Sequence, residues 1–141
     1  MVRMLVKDVN YQDEHITVKD SMTVIELSKE IAKAGIPDAV VIDGNEKVVG
    51  AIDTYDIISK CLAVDKDPNS TLAKEIMFAP PPVKLMTPLK EVHEIMQKLE
   101  ATVIPVIDDN QGLLGVVTIM DVIDGLGEAQ RKRGFLGKIF G

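Results

Sequence analysis

Gly50-Ala-Ile-Asp-Thr-Tyr-Asp56, followed by Ile57-Ile58, returns 65 residues later as Gly115-Val-Val-Thr-Ile-Met-Asp121, followed by Val122-Ile123. The same offset pairs Ile42-Asp43 with Ile107-Asp108 and Glu26-Leu27 with Glu91-Val92. A period that holds from Glu26 to Ile58 marks a duplication, so the chain is read as two copies of one supersecondary unit.

Within each copy the pattern predicts strand, helix, strand, strand, helix. In copy one His15-Ile-Thr-Val18 reads as a short strand, and Thr23 caps a helix with Glu26 three residues on. Val24, Leu27, Ile31 and Ala34 line one face of that helix, and Gly35 ends it. Ala39-Val-Val-Ile42 and Val48-Val-Gly-Ala-Ile52 are strands joined by Asp43-Gly-Asn-Glu-Lys47, where Asp-Gly and Asn favour positive φ. A helix from about Thr54 to Ala63 follows. In copy two Thr87 is expected to cap with Pro88 at the first helical position, and Val92, Ile95, Met96 and Leu99 form the buried stripe. Val103 to Ile107 and Leu113 to Val117 are its strands. The expected fold is α/β (α+β), with repeats at 4–63 and 72–127, a linker at 64–71 and a helical tail at 128–141. Met77, Met86, Met96 and Met120 are read as core filling.

Composition bounds the function. The chain has 141 residues, 46% of them hydrophobic, enough for one compact globular protein. Cys61 is the only cysteine, which excludes an internal disulfide or a multi-cysteine zinc site and points to a reducing, cytoplasmic setting. No signal peptide or membrane-spanning run is read in the sequence. Residues 1–127 carry 12 Lys and Arg against 21 Asp and Glu, a balance of −9, and residues 128–141 carry +3. An acidic body argues against nucleic acid as a partner. His15 and His93 have no local partner spacing, so neither a metal site nor a general base is assigned, and no catalytic residue is proposed.

Chemistry concentrates at the repeated motif. A helix N-terminus presents unpaired N–H groups that suit a phosphate, and a glycine before it admits close backbone approach. Thr118 offers a hydroxyl, and Asp121, one turn into the helix, can accept both hydroxyls of a ribose. The same Thr-x-x-Asp spacing is also a helix cap that needs no ligand. Copy one carries Asp53 at the hydroxyl position, ahead of Asp56. A carboxylate about 4 Å from a phosphate charge costs about 4 kcal/mol at an effective dielectric near 20. One charged hydrogen bond returns only about 1.5–3 kcal/mol.

The paired Gly-h-h-[Ser/Thr]-x-x-Asp motifs (h, hydrophobic), each after a hairpin and before an apolar helix, resemble those of the cystathionine β-synthase (CBS) domain family, in the tandem arrangement called a Bateman module. The resemblance covers about Met4 to Leu126. It implies two repeats packed about a pseudo-twofold axis, each cleft taking ribose and phosphate contacts from one copy and base contacts from the other. Thr118 and Asp121 then hold a phosphorylated ribose. Thr102 and Val103 at one strand start, and Asp38 and Ala39 at the other, lie along the base. Asp38 is placed to accept from an adenine amino group, or else is an exposed strand-edge charge. The cleft using Asp53 and Asp56 is expected to be empty, to take an uncharged or cationic nucleoside such as S-adenosylmethionine, or to hold phosphate only through Mg²⁺.

By the same resemblance the chain is expected to be a regulatory module for AMP, ADP, ATP or S-adenosylmethionine. It would form a homodimer and signal to a separate effector protein. The alternative is a structural or partner-binding module with one or both clefts empty. The tail, with Phe135, Leu136, Ile139 and Phe140 beside four basic residues, reads either as a helix packing back or as an anchor for a partner or an acidic membrane surface.

Overall fold

The computed structural model describes residues 3–140, with side chains described through Arg131. The elements are β1 (Thr17–Lys19), α1 (Val24–Ala34), β2 (Asp38–Ile42), β3 (Val48–Asp53), α2 (Thr54–Lys60), α3 (Ala73–Ile76), α4 (Leu89–Leu99), β4 (Val103–Ile107), β5 (Leu113–Thr118) and α5 (Ile119–Phe140). The fold is the expected α+β duplication.

Two compact units form, and neither is a continuous stretch of chain. Unit 1 takes the chain up to Asp13, then Pro81–Asp108 and the chain from Leu114 onward; unit 2 takes Glu14–Pro80 and Asp109–Leu113. The segment ahead of each repeat is therefore used by the other repeat's body. The two leaders match each other. Leu5 N–H donates to Asp8 at 3.0 Å as Leu72 N–H donates to Glu75 at 2.6 Å. Tyr11 carbonyl accepts from Val116 N–H at 2.9 Å as Phe78 carbonyl accepts from Ala51 N–H at 2.9 Å. Val116 and Ala51 are themselves 65 residues apart, so each leader adds to the same edge of its hairpin.

In unit 2, β1 runs parallel to β2 and β2 antiparallel to β3, with α1 laid against them through Val24, Leu27 and Ile31. Ala73 and Ile76 of the leader complete that core. Thr23 caps α1 as expected: its hydroxyl accepts from Glu26 N–H at 3.2 Å, and Glu26 accepts from Thr23 N–H at 3.4 Å. Gly35 ends the helix at φ 68°. In unit 1, β4 pairs with β5, and Leu89, Val92, Met96, Ile104, Val106 and Val117 are buried.

Several expectations change. Strand β1 begins two residues late, at Thr17, and α2 stops at Lys60, continuing as a 3₁₀ turn over Leu62–Val64. Copy two has no counterpart of β1, because Pro80, Pro81 and Pro82 lack the N–H groups a ladder needs; Val83 carbonyl accepting from Ile107 N–H at 2.9 Å is what remains of that edge. Thr87 is not the cap of α4. Its hydroxyl accepts from Lys84 N–H at 2.9 Å, and Pro88, which has no hydroxyl to offer, sits at the N-cap. The hairpin turns put positive φ on Glu46 (61°) and Gln111 (63°), not on Gly44 or Asn45, since Asp43 fixes the loop by accepting from Asn45 and Lys47 N–H groups. Ala34 and Leu99 end their stripes in solvent. Met96 is core, but Met86 and Met120 are exposed, so helical spacing misassigned them. Helix α5 carries the tail to Phe140, and what Phe135, Leu136, Ile139 and Phe140 pack against lies outside the described residues. Among the described residues no helix is long and apolar enough to cross a membrane.

Candidate functional site

Each unit presents its motif where a strand runs directly into a helix: β3 into α2, and β5 into α5. The leading glycines are explained by the neighbouring backbone. A Cβ on Gly115 would lie 1.9 Å from Tyr11 carbonyl oxygen, and one on Gly50 would lie 2.6 Å from Phe78 carbonyl oxygen. Only glycine lets the leader lie against the hairpin, so the close approach expected for a phosphate is taken by the protein's own chain.

In unit 1, Thr118 hydroxyl donates to Asp121 Oδ2 at 2.8 Å and accepts from Asp121 N–H at 3.2 Å. Asp121 Oδ2 also accepts from Thr118 N–H at 3.3 Å. Ile119 N–H, first in the helix, donates to Thr102 carbonyl at 2.8 Å. Two of the first three helix amides are thus engaged, and a phosphate arriving at α5 meets a partly satisfied N-terminus. Thr102 is exposed, while Val103, Thr118 and Asp121 are partly exposed.

Unit 2 repeats this with carboxylates throughout. Asp53 accepts from Asp56 N–H at 2.9 Å, Asp56 accepts from Asp53 N–H at 2.9 Å, and Thr54 N–H donates to Pro37 carbonyl at 3.0 Å. The second oxygen of Asp56 pairs with Lys60 Nζ at 3.0 Å. Both oxygens of that buried side chain are therefore engaged within α2 and its cap. Asp53 keeps the cap and brings a carboxylate where Thr118 has a hydroxyl.

Asp38 stands directly opposite Asp53 in the β2–β3 register, and Ala39 beside it is buried. Asp38 Oδ1 is buried without a hydrogen-bond partner. Burial, and then the Asp53 charge, raise the Asp38 carboxyl above its ordinary value. Asp53 is raised as well, by burial first, with the Asp56 amide opposing and the Asp56 carboxylate adding to the shift. Among the described residues no three His, Cys, Asp or Glu side chains are arranged to hold a metal ion.

The Asp38–Asp53 opposition makes a testable stability statement. A carboxyl raised in the fold is costly when ionised, so stability falls as pH climbs from the ordinary carboxylate range through the raised value, and is restored on acidification. Asp38→Asn removes the charge and supplies a donor toward Asp53. It should stabilise the chain at pH 7 by about 1 kcal/mol, the scale of one satisfied buried hydrogen bond. Urea denaturation at pH 7 and pH 4 checks this: the gain over wild type should shrink at pH 4, and a loss of stability at pH 7 would refute it.

Sequence reading missed Asp13. It follows the residues that bridge β5, and its carboxyl faces Asp121, whose hydrogen-bonding contact raises it above the ordinary value, followed by burial and the Asp121 charge. Asn10 Nδ2 donates to Asp13 at 2.7 Å. Nothing in the 65-residue period pointed to this neighbour, because it is brought in by the leader. His15 is exposed and His93 partly exposed, on separate elements.

Comparison with known proteins reinforces the duplication. The CBS domain profile matches residues 6–63 and 73–128. An uncharacterized protein of Methanopyrus kandleri is 27% identical over 77% of this chain and 56% of its own length. The magnesium transporter MgtE of Thermus thermophilus is 30% identical over 80% of this chain and 25% of its own length. The chain thus spans about half and a quarter of these relatives. Among solved structures, the CBS domain pair of protein MJ0100 in complex with 5′-methylthioadenosine and S-adenosyl-L-methionine has a TM-score of 0.71 at 29% identity, covering 90% of this chain and 98% of that one. A CBS domain protein of Pyrobaculum aerophilum complexed with AMP, at 22% identity and a TM-score of 0.70, covers 84% of this chain and 89% of that one and shares the fold.

Proposed function

The chain belongs to the CBS domain family, and on that premise we propose that it is a non-catalytic regulatory module that binds an adenine nucleotide or adenosyl compound and signals its presence to a separate partner protein. The observation that carries this reading is the repeated strand-to-helix motif ending in Asp56 and Asp121, in a chain 29% identical to a pair that holds adenosyl ligands. In this reading Thr118 and Asp121 make one motif set and Asp53 and Asp56 the other, with Asp38, Ala39, Thr102 and Val103 as the strand-start residues that lie along the base. The repeats are taken as 4–63 and 72–127, with 64–71 as linker and 128–141 as an appended helix.

The sets differ in what they accept. Asp38, Asp53 and Asp56 gather negative charge, which favours a neutral or cationic nucleoside or a phosphate bridged by Mg²⁺. A second reading has specific support in unit 2: with both oxygens of Asp56 engaged, that set stays empty and the module works through its surface. Exposed apolar side chains support association. Tyr55 and Ile58 lie one turn apart on α2, Leu62 lies in the 3₁₀ turn that follows, and Met120 and Ile123 occupy the repeat-equivalent positions of the first two. A homodimer through these helices fits them. Cys61, buried and unpaired, fits a cytoplasmic protein.

A thermal-shift series with adenosine, AMP, ADP, ATP, S-adenosylmethionine and 5′-methylthioadenosine, with and without Mg²⁺, tests the reading. At 100 times its dissociation constant, a ligand stabilises by about 2.7 kcal/mol, a rise of several degrees in the midpoint. If no compound moves the midpoint, the partner-binding reading takes its place.

A further inference from the structure

Two carboxyl groups, not one, stand at the start of α5. Asp121 comes from the motif, and Asp13 from the leader that unit 1 borrows. The leader is fixed at this point: Tyr11 carbonyl accepts from Val116 N–H at 2.9 Å, Gln12 bridges Val116 in parallel, and Asn10 Nδ2 donates to Asp13 at 2.7 Å. Asp13 is thereby held against the helix whose first turn carries Thr118 and Asp121. The hydrogen-bonding contact with Asp121, then burial, then the Asp121 charge raise its carboxyl. At the matching leader position unit 2 has Pro80, counted from the equivalent residues Tyr11 and Phe78, so this second charge belongs to unit 1 alone.

A neutral ribose diol gains acceptors from such a pair. A 5′-phosphate brought to the same turn meets the negative charge of this hydrogen-bonded carboxyl pair, with two of the first three helix amides already engaged. We propose that Asp13 is a specificity-determining residue of the α5 site, setting its preference for neutral or positively charged adenosyl compounds over those bearing a free phosphate. The proposal rests on the reading that Thr118 and Asp121 hold an adenosyl ligand. It also revises the expectation that copy two is the phosphate-accepting one.

The test is isothermal titration of the full chain at pH 7.5 with adenosine, AMP and S-adenosylmethionine, for wild type, Asp13→Asn and Asp13→Glu. Asp13→Asn keeps a hydrogen-bonding side chain of the same size, and should raise the affinity for AMP relative to adenosine by about tenfold while lowering that for S-adenosylmethionine. Asp13→Glu keeps the charge and should keep the wild-type order, which also serves if the Asn variant folds poorly. A merely structural role would weaken all three ligands alike. Equal changes for all three, or an inverted order in Asp13→Glu, would overturn the role of Asp13 while leaving the site reading intact. Failure of wild type to bind any of the three would overturn both.

Discussion

Gly115→Ala should destabilise the chain by about 3 kcal/mol, lowering its melting midpoint by roughly 10 °C. The new methyl would sit 1.9 Å from Tyr11 carbonyl oxygen, a backbone atom that Val116 N–H already holds at 2.9 Å. No side-chain rotation relieves such a contact, so the leader must retreat, and its hydrogen bond to β5 goes with it. Gly50→Ala makes the milder case: 2.6 Å from Phe78 carbonyl oxygen and 2.8 Å from the flexible Met77 sulfur. Urea denaturation of both variants should rank Gly115→Ala as the more damaging. Limited proteolysis of Gly115→Ala should release the leader before the rest of unit 1. A Gly115→Ala chain within 1 kcal/mol of wild type would mean that the leader is not held as described.

Asp121→Ala should weaken adenosyl-ligand binding by at least about 100-fold, or about 2.8 kcal/mol, because two hydrogen bonds to a charged acceptor disappear together. It also removes the acceptor for Thr118 hydroxyl and amide, a cap worth about 1 kcal/mol. The two effects separate in practice: calorimetric titration at 25 °C, where the variant remains folded, reads the binding loss without the cap loss. Asp56→Ala is the informative companion, since its oxygens are engaged by Asp53 N–H and Lys60. It should cost stability and change binding at the α5 site by less than twofold. Unchanged affinity in Asp121→Ala would remove Asp121 from the site.

Much of the fold was legible because its signals are local. The capping pair Thr23 and Glu26, the αL glycine at Gly35 and the helical stripe Val24, Leu27 and Ile31 depend only on residues a turn apart. The motif was legible too, as a strand feeding a capped helix. Less so was what its parts touch. Gly115 and Gly50 signalled close approach correctly, yet the approaching group is a leader some hundred residues earlier in the first case and 28 residues later in the second. Thr87 and Pro88 resembled a helix start closely enough to mislead, because a hydroxyl two residues before a helix can serve Lys84 N–H equally well. Met120 lies on a helix whose buried face the period alone does not orient, and Met86 lies in the turn ahead of α4, where helical spacing does not apply.

By itself the sequence determined that there are two repeats, what each is built from, and that Asp53 makes the copies unequal. Those are matters of residue type and short-range spacing, settled by capping, turn chemistry and hydrophobic period. Only the tertiary structure decided which leader joins which body, and with it the charge of each site. Asp13 meets Asp121, and Asp38 stands across from Asp53, because strand register and leader exchange bring together groups that no local hydrogen bond links in the sequence. Electrostatic character depends on distance through space, and at the start of α5 the fold sets that distance.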